Sequence, residues 1–445
     1  MKHFLKVQKE HNLGTIITKK YSHLADKKGL AKVWYLGMAF FPLVKDVIKS
    51  GKAREISSFA IWEAQHKLGL FSASKYVKFE DKAPFILKKG MDIEALDFGS
   101  FLENMPFTIR KTRNWKVFHR DSKNSLYGCL ASENRVMYKS DDNGVTLQKL
   151  ETFDKEIKAV FVSQEDVVFV NTKGIIYRSD DAGETFEESL ALSEEDSSIF
   201  HHYGMTQIPS GELLVGEYGN VAKNGAWANI AYIYGSSDLG KTWERSDFLK
   251  KQGVNKHVHM IKYSHILDRV ILADGDNKKQ LWVSKDLKNY VFSENPWELK
   301  THLHIQMGGY TSMVEVGDSL IFGTDYLGGT NFLVETKDGK KFDKKVMPDP
   351  YRRSPVHDLM KRTVNGKEEI WSLLNNPNSS NAKCLLMYSA NGGESWQRVI
   401  EYDGTKHLIM INSGDLKPSN TISFALTTMV EGGGETGVCY EIKPI

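Results

Sequence analysis

The eight residues Ser236-Ser237-Asp238-Leu239-Gly240-Lys241-Thr242-Trp243 constrain the fold more than any other stretch, because their pattern returns along most of the chain. Good copies start at Ser140, Ser179 and Ser389, centred on Asp142-Asn143-Gly144, Asp181-Ala182-Gly183 and Asn391-Gly392-Gly393. Worn copies start at Ser284 and Thr336. An Asp or Asn side-chain oxygen accepts from backbone N–H groups further along, and Gly supplies a positive φ that a β-carbon opposes, so each copy predicts a tight turn. Short apolar runs of strand type precede the copies, as at 135–138, 231–234 and 384–388. Each unit is therefore a hairpin whose last residue, often aromatic, begins the next strand.

The copies start 39, 57, 48, 52 and 53 residues apart, which suits four-stranded antiparallel blades with variable loops. Past Trp396 come strand patterns at 407–411, 422–427 and 438–442, a further unit with no turn motif and no fourth strand. The expected fold is all-β, a β-propeller over residues 91–445. Seven blades are favoured, with six as the alternative. Closing the ring needs a strand from before the first blade, and residues 76–79 or 85–87 are the expected donors because an open sheet edge invites aggregation.

The turn pattern resembles the Asp-box, or BNR, repeat of the sialidase-like β-propeller superfamily, whose form is Ser/Thr-x-Asp-x-Gly-x-Thr-Trp. That resemblance implies a propeller, and it implies either a glycosidase or one of the non-catalytic propellers that share the box. Sialidases of this kind use three arginines, a tyrosine nucleophile assisted by a glutamate, and an aspartate acid/base. An Arg-Ile-Pro motif enters their first blade. Here Phe107-Thr108-Ile109-Arg110-Lys111 lies in a comparable place without the motif, and Arg352/Arg353 offer a further guanidinium. Fold alone does not assign function, so the site must be argued from its residues.

Residues 1–90 form a basic, mostly helical region of different character. Residues 1–55 hold 12 Lys/Arg against 4 Asp/Glu, a net +8, while the whole 445-residue chain carries only +3. Residues 33–44 are uncharged, with Pro42 expected to kink or end a helix. They are too few to span a bilayer, which takes about 20. A second helical pattern covers 55–68. Packing on the propeller or on a partner protein competes here with docking on a membrane surface through residues 1–70. Nucleic acid is not expected, since no nucleic-acid fold signature accompanies the basic residues. Cys129, Cys384 and Cys439 are too sparse for a disulfide framework and are expected to be buried thiols. The N-terminus lacks the pattern of a secretory signal, so a cytoplasmic location is expected, with a peripheral membrane one as the alternative.

Blade phase locates the chemistry. The turns lie at one face, so site residues belong at the other, where first strands start and second strands end. First-strand starts supply His202, His257, His259, His302, His304, Gln306, Arg352, Arg353 and His357. Second-strand ends supply Glu217, Tyr218, Asp276 and Asp325. Alternation in a strand puts both imidazoles of His257/His259, and of His302/His304, on one face, so these four could share a divalent metal with Asp276 or Gln306. No other cofactor is indicated.

The function expected from these residues is action on an acidic saccharide at a His/carboxylate-rich mouth. Hydrolysis would use Glu217, Asp276 or Asp325, and elimination would use Tyr218 with His257 or His259. His202, His302, His304, Gln306, Arg352, Arg353 and His357 would hold the substrate, with the two arginines clamping its carboxylate. The alternative is a non-catalytic propeller that binds a glycan or protein and docks through its basic N-terminal region.

Overall fold

A computed structural model describes residues 29–49, 53–223, 226–275, 280–285, 287, 292–294, 296–300, 309–326, 329–376, 382–415, 419–429 and 435–445. The chain divides into two compact units. The smaller comprises Met1–Leu70, Ala222–Ala228 and His304–Met307, and the larger comprises Phe71–Val221, Asn229–Leu303 and Gly308–Ile445.

In the smaller unit α1 spans Gly29–Lys49 and α2 spans Ala53–Lys67, with a two-stranded hairpin at Ala222–Lys223 and Ala226–Trp227. Pro42 does not end the helix, and α1 runs on to Lys49. A proline deletes one helical hydrogen bond but its fixed φ is itself helical, so the flanking turns carry the helix through.

The larger unit is a seven-bladed β-propeller of four-stranded antiparallel blades. Their inner strands, in order, are Trp115–Arg120, Ile157–Val162, Met205–Gln207, Val258–Ser264, Gly309–Val316, Val356–Val364 and His407–Ile411. The apolar cores lie between neighbouring blades: Tyr127, Met137, Val160 and Val170 join blades 1 and 2, and Trp371, Tyr388, Phe424 and Ile442 join blades 6 and 7. The three cysteines are free and buried, Cys129 and Cys384 within these cores.

Ring closure differs from expectation. The outer strand of blade 7 is Phe107–Lys111, paired antiparallel with Glu435–Pro444 from Phe107 opposite Pro444 to Lys111 opposite Tyr440. Phe107 is fully buried, its ring centroid 5.0 Å from that of Trp371 and 5.3 Å from that of Tyr388. The two expected donors run elsewhere. Tyr76 bridges Val346 of blade 5, Phe79 bridges Trp396 of blade 6, and Phe85–Leu87 adds a fifth, parallel strand to blade 6 opposite Ile400–Tyr402. These segments cover outer edges that would otherwise present unpaired backbone groups.

The repeated turn has the geometry its chemistry implies. Thr242 donates to Asp238 from its backbone N at 2.9 Å and from Oγ1 at 2.7 Å, while Ser236 Oγ donates to Asp238 at 2.9 Å and accepts from Gly240 N at 2.8 Å. The turns at Asp142 and Asp181 repeat this set, and Asn391 stands in for the carboxylate in blade 6. Both Leu239 and Gly240 are left-handed, at φ 57° and 78°. A β-carbon at Gly240 would stand 2.5 Å from the Phe169 ring of the preceding blade. The hydroxyl of Ser189, on that same blade, donates to the Gly240 carbonyl and accepts from Trp243 Nε1. Each such turn thus clasps its own hairpin and pins it to a neighbour.

Candidate functional site

The faces are defined by the strands: inner strands start at the upper face and run to the lower face, where the repeated turns lie. In blade 3 the inner strand is interrupted. Ser198–Ile199 pairs with Tyr218 and Glu217, Met205–Gln207 pairs with Val215 through Leu213, and residues 200–204 between them face Gly216 alone. This insertion curls into a 3₁₀ turn, His201–Tyr203, with His201 left-handed at φ 44°. It projects across the central channel.

The turn is held from the far side of the ring. The Tyr203 hydroxyl lies 2.7 Å from Asp358 Oδ1 and 2.8 Å from the Leu359 carbonyl, and accepts from the Leu359 N–H at 3.1 Å. Asp358 belongs to blade 6, nearly opposite blade 3. His202 Nε2 also approaches Asp358 Oδ1, at 3.3 Å. Burial works against ionisation of Asp358, yet the nearby His202 imidazole and the hydrogen bond from Tyr203 hold its carboxyl below the ordinary range. Burial, with the Asp358 charge adding to it, drives the Tyr203 phenol well above its usual value, so it stays protonated.

Two basic groups complete the channel cluster. Lys262, on the inner strand of blade 4, places its Nζ 5.9 Å from the Tyr203 ring centroid. Its ammonium has no hydrogen bond or ion pair among the described residues, and desolvation, opposed by the Asp358 charge, brings it down to about 8. His119 of blade 1 is buried and shares a hydrogen bond through Nδ1 with the Arg120 carbonyl at 3.0 Å. Burial and the Lys262 charge push it down to about 3, which keeps it neutral. Below them Ser413–Asp415 pairs in parallel with Phe118–Arg120, on the axial side of the inner strand of blade 1. A β-carbon at Gly414 would come within 2.8 Å of the His119 ring.

Above the cluster lies an aromatic mouth. Phe200 packs against the rings of Tyr218, His201 and His259, at centroid separations of 4.7, 5.0 and 5.7 Å. Tyr218 also lies 4.5 Å from His257, and the two imidazoles lie 5.0 Å apart. Gly275 makes this possible, since a β-carbon there would stand 2.3 Å from His257 and 2.5 Å from His259. The Nδ1 of His257 donates to the Gly219 carbonyl at 2.7 Å. Burial, reinforced by His259, holds His257 well below its ordinary value, and burial lifts Tyr218 to about 12 with help from the Asp325 charge. His201 is exposed, while Tyr218, Asp325 and His357 are partly exposed.

Among the sequence-predicted residues, His202, Tyr218, His257, His259, Asp325 and His357 therefore stand at or under the mouth. Glu217 does not. It is fully buried, accepting from Ser193 N at 3.1 Å, Ser193 Oγ at 2.7 Å and the Tyr234 hydroxyl at 2.7 Å, so it brackets blades 2 and 3. Adjacent strand residues face opposite sides, and Tyr218 has the mouth side. Arg352 is likewise buried, held by Asp349 at 3.2 Å and Thr330 at 2.9 Å rather than open to a carboxylate. Arg353 is partly buried, and its carbonyl accepts from Asn376 at 2.8 Å. Asp276, His302, His304 and Gln306 lie outside the described residues. Half of the expected metal set falls there, and no group of three or more metal-ligating side chains converges among the described residues. Tyr203, Lys262, Asp358 and His119 were not anticipated. The one local signal was a lysine inside the apolar run 258–263.

No protein-family model matches the sequence, and no curated protein matches it significantly. Solved structures show a limited likeness to the chain. A catalytically inactive virginiamycin B lyase from Staphylococcus aureus, with quinupristin, is 14% identical over 76% of this chain and 100% of its own, at a TM-score of 0.49. YCF48 bound to a D1 peptide is 13% identical over 77% of this chain and 96% of its own, at 0.48. A putative gluconolactonase is 11% identical over 66% and 94%, at 0.37.

Proposed function

We propose that the upper mouth takes an acidic saccharide and acts on it by His- and Tyr-assisted elimination. The observation behind this reading is the turn at 200–204, which gathers His202, Tyr203, Asp358 and an ammonium without an ion-pair partner, Lys262, into one channel. An unanswered cation beside a fixed carboxylate calls for an anionic ligand, and Lys262 takes the carboxylate-binding role that Arg352 cannot fill. Elimination needs a base to remove the proton on the carbon bearing the carboxylate. The bond from the adjacent carbon to the leaving oxygen then breaks, a double bond forms between the two carbons, and an acid protonates the oxygen. His201 at the mouth serves as the base. Tyr218, protonated because its phenol sits near 12, serves as the acid. His257 and His259 back its ring and position it.

Hydrolysis of a glycosidic bond is less well supported, because it needs two carboxyl groups flanking the bond and Glu217 is spent as a bracket. A sialidase-type site is also less well supported with Arg352 engaged. A binding-only role is the second reading, favoured by the near-complete burial of His257 and His259.

Isothermal titration with an oligouronate tests the site. Affinity should fall as pH rises through about 8, where Lys262 loses its charge. Lys262→Arg should bind above that pH and Lys262→Met should bind weakly throughout. Unchanged affinity in Lys262→Met would sink the reading. Ultraviolet absorbance of an unsaturated uronide separates elimination from binding alone.

A further inference from the structure

On α1, six large apolar side chains stand in one stripe: Leu30, Trp34, Met38, Phe41, Val44 and Ile48. Their spacing of four, four, three, three and four residues keeps them on one face of a 3.6-residue helix. All six are exposed, with Leu30 at 88%, Phe41 at 79% and Trp34 at 69%. Phe40 beside them is exposed as well. The stripe runs about 27 Å at 1.5 Å per residue. A patch of this size and continuity marks an interaction surface.

Charge decides the occupant. The segment that carries the stripe holds 12 Lys/Arg against 4 Asp/Glu over residues 1–55, whereas the remaining 390 residues carry a net −5. Lys45 stands exposed beside the stripe. A second copy of this chain would bring +8 against +8, which opposes dimerisation through this face. Aromatic and aliphatic side chains flanked by lysines match the boundary between acyl chains and anionic headgroups. No described helix is long and apolar enough to cross a membrane. We propose that α1 lies flat on an anionic lipid surface, with Trp34, Phe41 and their neighbours inserted at headgroup depth, and so attaches the propeller to a membrane.

The test is flotation of the full chain with phosphatidylserine-rich vesicles and with phosphatidylcholine vesicles, at low and high salt. Binding is expected on the anionic vesicles, weakened by salt. In Trp34→Ser/Phe41→Ser it should drop about tenfold or more, given the apolar area withdrawn. Both side chains are exposed, so the variant should melt like the parent. Lys45→Glu supplies a second variant, expected to weaken binding to anionic vesicles alone. Equal binding of parent and double variant overturns the proposal. So does failure to float together with a concentration-dependent dimer that the double variant abolishes, which would make a second copy the occupant.

Discussion

Glu217 offers the sharpest separation of scaffold from chemistry. In Glu217→Gln the volume is kept but one acceptor oxygen becomes a donor. If the new amide nitrogen faces Ser193, it meets the backbone N–H and the hydroxyl that now donate to Glu217 Oε1. If it faces Tyr234, the phenol must turn to accept, and its own proton loses the partner it has at 2.7 Å. Either way at least one hydrogen bond to a charged acceptor is lost in a fully buried place, at a cost of about 1.5–3 kcal/mol. Unfolding entropy near 2.1 cal/mol/K per residue, over the roughly 370 residues of the propeller, is about 0.8 kcal/mol/K. The expected fall in Tm is therefore about 2–4 °C. Glu217→Ala leaves all three donors unpaired beside a cavity, about 3–5 kcal/mol or about 4–6 °C.

Differential scanning calorimetry gives the melting shift, and turnover of an oligouronate well below the transition gives the activity. Both variants should melt early and keep the parent's kcat. The opposite pattern, an unchanged Tm with turnover lost, would refute the bracket assignment and restore Glu217 as the catalyst that its sequence position suggests.

Two further outcomes bear on the fold. The hydrogen bonds from Thr242 hold the Asp238 carboxyl near 2 against an ordinary 3.8, so its contribution is present above the ordinary value and disappears as pH falls through about 2. The Tm gap between parent and Asp238→Asn should hold steady down to about pH 4 and close near pH 2. A gap that ignores pH would show that the turn does not use the charge. Phe107→Ala should cost about 3–5 kcal/mol if Phe107–Lys111 closes the ring, and a Tm within a degree of the parent would contradict that closure.

The turn was readable because its whole chemistry sits inside eight consecutive residues: acceptor, left-handed pair and donating hydroxyl are all local. The closing strand was not. Residues 85–87 do form a strand, as their pattern says, but which edge a strand joins depends on partners that lie more than 300 residues away. A strand's apolar alternation specifies that it pairs and which face it buries, and leaves the neighbour open.

The site divides along the same line. His257 and His259 were found because their spacing and their strand are local, whereas Tyr203 and Asp358 are 155 residues apart and meet only when blades 3 and 6 face each other across a closed ring. The insertion at 200–204 broke the strand pattern without announcing where it would project. Lys262 is the exception that physical reasoning can reach. It stands inside the run Val258-His259-Met260-Ile261-Lys262-Tyr263, on a strand that lines the channel. A lysine there must shed water, and a charge that sheds water is retained only when something answers it. Within this chain the answer is partial: Asp358 acts on Lys262 from across the ring but accepts its hydrogen bond from Tyr203 and lies 3.3 Å from His202 Nε2. The remainder of that charge is what the anionic ligand proposed above would answer.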